Sequence, residues 1–285
     1  MKQMIRQLSG EDLHALQAMQ TGIDDDYVIR VFDRISNGHN RLFGLFHDGQ
    51  LASIGGYTIF SGSYVMLGRM RSDLRYRGLN LSTRLMDHVR NAALEHDGIR
   101  FIGANTEEIN IPAQRVLENI GLAKQSVLVA ATAVHVQGLE SGAAPWRKIE
   151  SVEEKMRWLQ DVYIRPGRIF PFECYYPFPA TPELFSESQL SGWDFFENPA
   201  QDRIVITKPD VKKYDYLHTL YPWDDLHEQP GLWETLSAPL EAIRAQSEEG
   251  AFVWIDLTHE QVRQLPKGHP FELSSPWFLY GTQIS

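Results

Sequence analysis

Apolar residues recur along this chain at two alternating periods, and the alternation lays out its elements. Period-two or continuous apolar runs predict strands over residues 4–8, 41–46, 51–57, 64–70, 100–104 and 125–136. Between them the spacing becomes helical. Ser9 caps a helix carrying Leu13, Leu16 and Met19, and residues 26–35 turn Val28, Val31, Phe32 and Ile35 inward. Leu81, Leu85, Val89 and Ala92 form the stripe of a further helix that Gly98 closes. Another has Asn110 as its cap, Pro112 in its first turn, Ala113, Val116, Leu117 and Ile120 as its buried face, and Gly121 as its stop. His47-Asp48-Gly49-Gln50 reads as a hairpin turn. Gly55-Gly56-Tyr57 reads first as a strand bulge, with close approach of an acceptor to the backbone as the alternative.

After a small-residue stretch the texture changes, and Trp, Tyr, Phe and Pro become frequent. There the pattern predicts helices over 150–163, 233–246 and 259–265 and strands over 203–207, 251–255 and 277–280. The expected fold class is mixed α/β: a first domain over 1–137, a linker over 138–148 and a second α+β domain over 149–285. The order of elements in the second half echoes that of the first, without a detectable sequence repeat, so a degenerate second copy and an unrelated α+β domain both remain open.

One junction carries chemistry. The strand over 64–70 leads into Arg77-Gly78-Leu79-Asn80-Leu81-Ser82, and the next residues open a helix. The first amides of a helix are unpaired and sit at the positive end of its dipole, so this loop outlines a site for a phosphate group. Asn80 is the non-glycine type that best tolerates positive φ, so a left-handed turn there is open to it at a cost of about 1 kcal/mol.

The loop resembles the R-x-x-G-x-G/A pyrophosphate loop of the GNAT acetyltransferases, with Asn80 in place of the central Gly and Ser82 in place of the last small residue. The stretch from Asn110 through Ala113 to Gly121 resembles that family's N-x-x-A-x-x-L-Y-x-x-x-G-F helix, in the order and separation the family requires. The resemblance covers residues 3–137 and implies a GNAT acyl-CoA-binding fold with acetyl-CoA as cosubstrate. It assigns Ser72, Leu74, Arg77, Gly78, Leu79, Asn80, Leu81, Ser82, Asn110 and Ala113 to the cofactor, Ser72 and Leu74 through their main-chain groups. It also implies direct attack of an amine on the thioester in a ternary complex, without an acyl-enzyme. The tyrosine that protonates the departing thiolate in the family falls on Leu117, which cannot do so. Tyr57, Tyr64 and Tyr76 are then candidates for the acid, and Asp73, Glu107 and Glu108 for the base, each with a plain structural or solvated role as its alternative. The N-terminal domain joined to a long aromatic C-terminal region also resembles the histidine N-acetyltransferase group, which suggests a free amino acid as acceptor. Two functions follow: an N-acetyltransferase acting on a small-molecule amine, and a non-catalytic acyl-CoA-binding or regulatory module.

Composition narrows this further. A length of 285 residues with 43% hydrophobic positions suffices for two cores. A formal charge of −10 argues against nucleic acid as partner and mildly favours a cationic acceptor. No apolar run reaches the length of a membrane span and no signal-peptide pattern is present, so no membrane partner and a cytoplasmic location are expected. The ten histidines show no H-E-x-x-H or Cys-His ligand spacing, so no metal is expected. Cys174, the single cysteine, reads as a structural thiol unless a base lies beside it in the fold. The aromatics of the second half, with Glu173, Asp194 or Asp224, could enclose an amine; the alternative is that they form its core.

Overall fold

A parallel pair of strands cannot be joined by a tight turn, and the crossovers this demands shape the protein. The computed structural model describes residues 2–284. Contacts divide the chain into two units: residues up to Gln125 together with those from Leu279 on, and Ser126–Phe278.

The first unit runs β1 (Gln3–Gln7), α1 (Leu13–Gln17), α2 (Tyr27–Arg30), α3 (Phe32–Ile35), β2 (Asn40–His47), β3 (Gln50–Phe60), β4 (Tyr64–Ser72), α4 (Leu81–Leu94), β5 (Phe101–Glu107), α5 (Ile111–Asn119) and into β6 (Ala123–Ala133). The sheet order is β1-β2-β3-β4-β5. The first four strands are antiparallel, and β4 lies parallel to β5 with α4 as the crossover. The β2–β3 turn has both central residues left-handed, Asp48 at φ 46° and Gly49 at φ 83°, which matches the twist of a two-residue hairpin. The predicted helix over 26–35 is broken at Val31 into α2 and α3. Leu8, Leu16, Val28, Phe32, Leu42, Leu51 and Ile54 form one core. Helix α4 buries Leu81, Leu85, Met86, Val89 and Ala93.

The second unit comprises β7 (Arg147–Ile149), α6 (Val152–Leu159), β8 (Ile169–Glu173), β9 (Tyr176–Pro179), α7 (Glu187–Gly192), β10 (Asp194–Glu197), β11 (Ile204–Val211), β12 (Asp215–Leu220), α8 (Leu232–Arg244), β13 (Ala251–Leu257), α9 (His259–Gln264), β14 (Glu272–Leu273) and the start of β15 (Trp277–Gln283). Its order is β7-β10-β11-β12-β13-β6, with β12 parallel to β13 and α8 as the crossover. The scheme of antiparallel strands ending in a helix-closed parallel pair is that of the first unit. The hairpin β8–β9 stands outside this sheet as a two-stranded sheet of its own.

Two boundaries differ from those read from the sequence. The division falls within β6 at 125/126 and not after 137, because Val129–Ala133 of β6 pairs with β13. The last residues of the expected linker are not a linker: Arg147–Ile149 is a strand paired with β10, and the Trp146 N–H donates to Thr235 Oγ1. The chain's end also belongs to the first unit, where β15 lies beside β5 and the Ile284 N–H donates to the Arg100 carbonyl at 2.8 Å. Among the described residues no helix is long and apolar enough to cross a membrane.

Candidate functional site

The parallel β4–β5 ladder lasts only from Tyr64–Phe101 to Leu67–Ala104, after which the strands continue without pairing to Ser72 and Glu107. The cause is a bulge. Between the pairs Gly56–Gly68 and Ile54–Arg71, strand β4 carries one residue more than β3, with Arg69 left-handed at φ 60°. Gly55 lies opposite this bulge beneath Met86, where a Cβ would fall 2.4 Å from its Sδ; the extra residue is on β4, so 55–57 faces the bulge and is not itself the bulged segment the sequence suggested.

Beyond the bulge, the Asp73 N–H donates to the Ala52 carbonyl at 2.9 Å. Backbone groups alternate between the two edges of a strand, so those of Ser72 face the edge that β5 has left. The Ser72 hydroxyl lies 2.5 Å from that of Ser82, joining the strand end to the first turn of α4. Leu74 is placed differently, because its N–H is already donated to the Gln20 carbonyl at 2.8 Å. It has no free amide to offer a ligand, contrary to the sequence expectation.

The connection from β4 to α4 is exposed over residues 74–80 except for half-buried Tyr76. Gly78 has φ 82°, and Asn80, the N-cap of α4, is left-handed at φ 56°. No side chain caps the helix and no acidic residue stands in its first turn. The amides of Leu81, Ser82 and Thr83 are therefore left to water or to an anion. Arg77 is exposed and has no ion pair among the described residues. At the end of β5, Asn110 Oδ1 accepts the Ala113 N–H at 3.3 Å, so this asparagine caps α5 as its position predicts. Ala113 and Leu117 are the buried face of that helix.

Residues 7–122 match the family model for the acetyltransferase (GNAT) family. The fold is the GNAT fold. Solved structures resemble the chain across both units at low identity. A GCN5-related N-acetyltransferase from Sphaerobacter thermophilus is 12% identical with a TM-score of 0.54, covering 99% of this chain and 95% of that one. A candidate acetyltransferase from Pyrococcus horikoshii is 7% identical with a TM-score of 0.54, covering 99% and 90%. One from Thermoplasma acidophilum is 17% identical with a TM-score of 0.51, covering 96% and 89%. At these identities the likeness is one of fold. No curated protein matches the sequence significantly.

Within the first unit the expected acids and bases separate. Asp73 is fully buried and committed to a turn: its carboxylate accepts from the Arg75 guanidinium at 2.6 and 2.9 Å, from the Arg75 N–H and from the Gln20 N–H. The Arg75 hydrogen bonds outweigh burial and hold its pKa down to about 2, a poor base near neutral pH. Tyr57 is buried, with its hydroxyl 2.8 Å from His96 Nε2 beyond the last turn of α4. Helix α4 has 14 residues; at 1.5 Å per residue that places this hydroxyl roughly 20 Å along the axis from the loop over 77–82. Burial raises its pKa, and the geometry removes it from the opening of the β4–β5 pair. Tyr64 is fully buried at the start of β4, and Tyr76 packs on His47 with ring centroids 5.3 Å apart. Glu107 is half-buried at the end of β5, and Glu108 is exposed. Neither carboxylate has an ion pair among the described residues.

A clamp the sequence did not signal lies at the same strand end. Asp26 caps α2 through the Val28 N–H and accepts from Arg71 Nε at 2.6 Å and Nη2 at 2.8 Å. Burial alone would push the Asp26 carboxyl up, but Arg71 and the cap hold it below its usual range. With the Asp73–Gln20 bonds, this pins the α1–α2 connection to the end of β4.

In the second unit the aromatic residues are largely core. Trp146, Phe196, Tyr221, Trp233 and Phe271 are buried together, and Phe170, Phe172 and Trp193 surround the Lys208 ammonium at 4.5 to 5.6 Å. Glu173 pairs with Lys212 and Asp194 with Lys148, each at 2.8 Å, which leaves only exposed Asp224 of the three acidic residues considered for an amine.

Proposed function

We propose that the chain is an acetyl-CoA-dependent N-acetyltransferase acting on the primary amine of a small molecule. The observation that carries this reading is the open end of the β4–β5 pair beside a left-handed loop with an uncapped helix. The pyrophosphate rests on the amides of Gly78, Asn80, Leu81 and Ser82 with Arg77 alongside, the Leu79 N–H being turned to the Tyr76 carbonyl, and the pantetheine arm follows the free edge of β4 at Ser72. The amine attacks the thioester carbonyl carbon, a backbone N–H at the bulge steadies the oxyanion, and the C–S bond breaks to release CoA as its thiolate. Glu107 is the carboxylate offered as base, because Asp73 is held by Arg75 and Gln20. Leu117 supplies no proton, so the thiolate, a good leaving group, takes one from water. Free amino acids are the acceptors to try first, by the likeness to the histidine N-acetyltransferase group, in a cytoplasmic setting.

Release of CoA from acetyl-CoA by the full chain, measured across a panel of free amino acids and other small amines, tests this reading. Amine-dependent release that falls in Glu107→Gln, with a displaced pH profile, is expected. The buried hydrocarbon at Leu117 favours a second reading, an acyl-CoA-binding module without catalysis. Calorimetric binding of acetyl-CoA with no amine-stimulated release would select it.

A further inference from the structure

The second unit holds a buried group of donors that plays no part in the reading above. One ligand atom each from Cys174, Asp210 and His218 lies within 4.8 Å of the other two. Cys174 and His218 are fully buried, while Asp210 is partly exposed. The three come from different places: Cys174 follows β8 at the tip of the β8–β9 hairpin, Asp210 lies on β11 and His218 on β12.

The histidine is the informative member. Its Nε2 is 2.9 Å from Asp256 Oδ2, a carboxylate oxygen that also accepts the Trp254 indole N–H at 3.1 Å. A carboxylate partner fixes the proton on Nε2 and leaves the Nδ1 lone pair outward. That Nδ1 is buried and has no hydrogen-bond partner among the described residues, a costly state for a polar atom. Asp210 is also held in place, by the Cys174 N–H on Oδ2 at 2.7 Å and by Lys212 on Oδ1 at 3.1 Å.

We propose that Cys174, Asp210 and His218 form a site for a divalent transition-metal ion of the zinc type, with Asp256 as the positioning residue behind the histidine. Thiolate, carboxylate and imidazole are a donor set that zinc accepts, three from the protein with a fourth position open. A tetrahedron with bonds of about 2.0 to 2.3 Å has edges of roughly 3.3 to 3.8 Å, so the donors need at most a small inward adjustment. The charges also balance: the Cys174 thiolate with the carboxylates of Asp210, Glu173 and Asp256 offsets the dication together with buried Lys208 and with Lys212, which bridges Asp210 and Glu173 at 3.1 and 2.8 Å. The ion would tie the tip of the separate β8–β9 hairpin to two strands of the main sheet. No motif spacing announces such a site, because its ligands meet only through the sheet.

The test uses the full, untagged chain, stripped with a chelator and titrated with Co²⁺. Cys174 is the only cysteine, so a thiolate-to-cobalt charge-transfer band reports this site alone. Expected are a band saturating at one equivalent, its displacement by Zn²⁺, and a melting temperature that rises with Zn²⁺. Asp256→Asn should weaken Co²⁺ binding about 10- to 100-fold while keeping the band. Cys174→Ser should abolish the band. A wild-type chain that shows neither band nor melting shift, or a band that survives in Cys174→Ser, overturns the proposal.

Discussion

The two parallel-strand crossovers begin alike and end differently. Helix α4 starts from left-handed Asn80 and α8 from left-handed Gly231, at φ 56° and 79°. At α4 the first turn is uncapped and free of acidic residues. At α8 the corresponding space is filled by the chain itself. Glu234 stands in the first turn, and its Oε1 accepts from the Ser141 hydroxyl at 2.8 Å and the Ala143 N–H at 3.1 Å. Burial would raise that carboxyl, but its own backbone N–H and those near Ser141 hold it down. A Cβ on Gly231 would lie 2.2 Å from the Ala144 carbonyl oxygen. The helix terminus left uncapped in one unit is satisfied internally in the other, so a shared topology does not imply a shared ligand.

The comparison breaks most visibly at Gly231. Gly231→Val meets backbone at 2.2 Å in a left-handed conformation, and should cost more than about 4 kcal/mol by denaturant unfolding. A variant that unfolds like the wild type would mean that the segment before β7 does not close the α8 terminus.

Next in size is Leu117, which is fully buried. Leu117→Ala should lose about 2 to 5 kcal/mol of stability without displacing the pH profile of CoA release. A displaced profile with unchanged melting would return this position to the chemistry.

Gly78→Val sharpens the other side of the comparison. Its Cβ meets nothing within 4 Å, so the fold should lose only the strain of a left-handed β-branched residue. Acetyl-CoA affinity by calorimetry should fall about tenfold or more, roughly 1.4 kcal/mol, with a smaller loss in Arg77→Ala. Unchanged affinity in both variants would remove the loop from the site.

Asp73 gives a pH signature. Its carboxyl is held at about 2 against 3.8 in the unfolded chain, so the native state binds fewer protons in that window. The stabilisation is present above pH 4 and is lost as the pH falls through 2. Acid unfolding of Asp73→Asn should be less steep there; an identical slope would show that the Arg75 bracket contributes little. The smallest effect is expected for Glu234→Gln, about 0.3 to 1 kcal/mol, the usual worth of a carboxylate at a helix N-terminus.

A truncation at Val136 would not isolate the first unit fairly, because residues from Leu279 on belong to it. Pairing of that kind is invisible to local periodicity.

What the sequence by itself determined is local. Helical stripes, the Asn110 cap, the hairpin turn at Asp48-Gly49 and the left-handed character of Asn80 all follow from side-chain period and φ preference, which act within a few residues. The left-handed, uncapped start of α4 was legible for the same reason. Tertiary structure decided what depends on partners distant in the chain. It committed Asp73 to Arg75 and Gln20, moved the Tyr57 hydroxyl to His96, and joined Asp26 to Arg71. It also brought Cys174, Asp210 and His218 together and carried the C-terminal strand to the first unit. A carboxylate or phenol has the same local signature whether it faces a ligand or a guanidinium, and only the sheet register brings either to it.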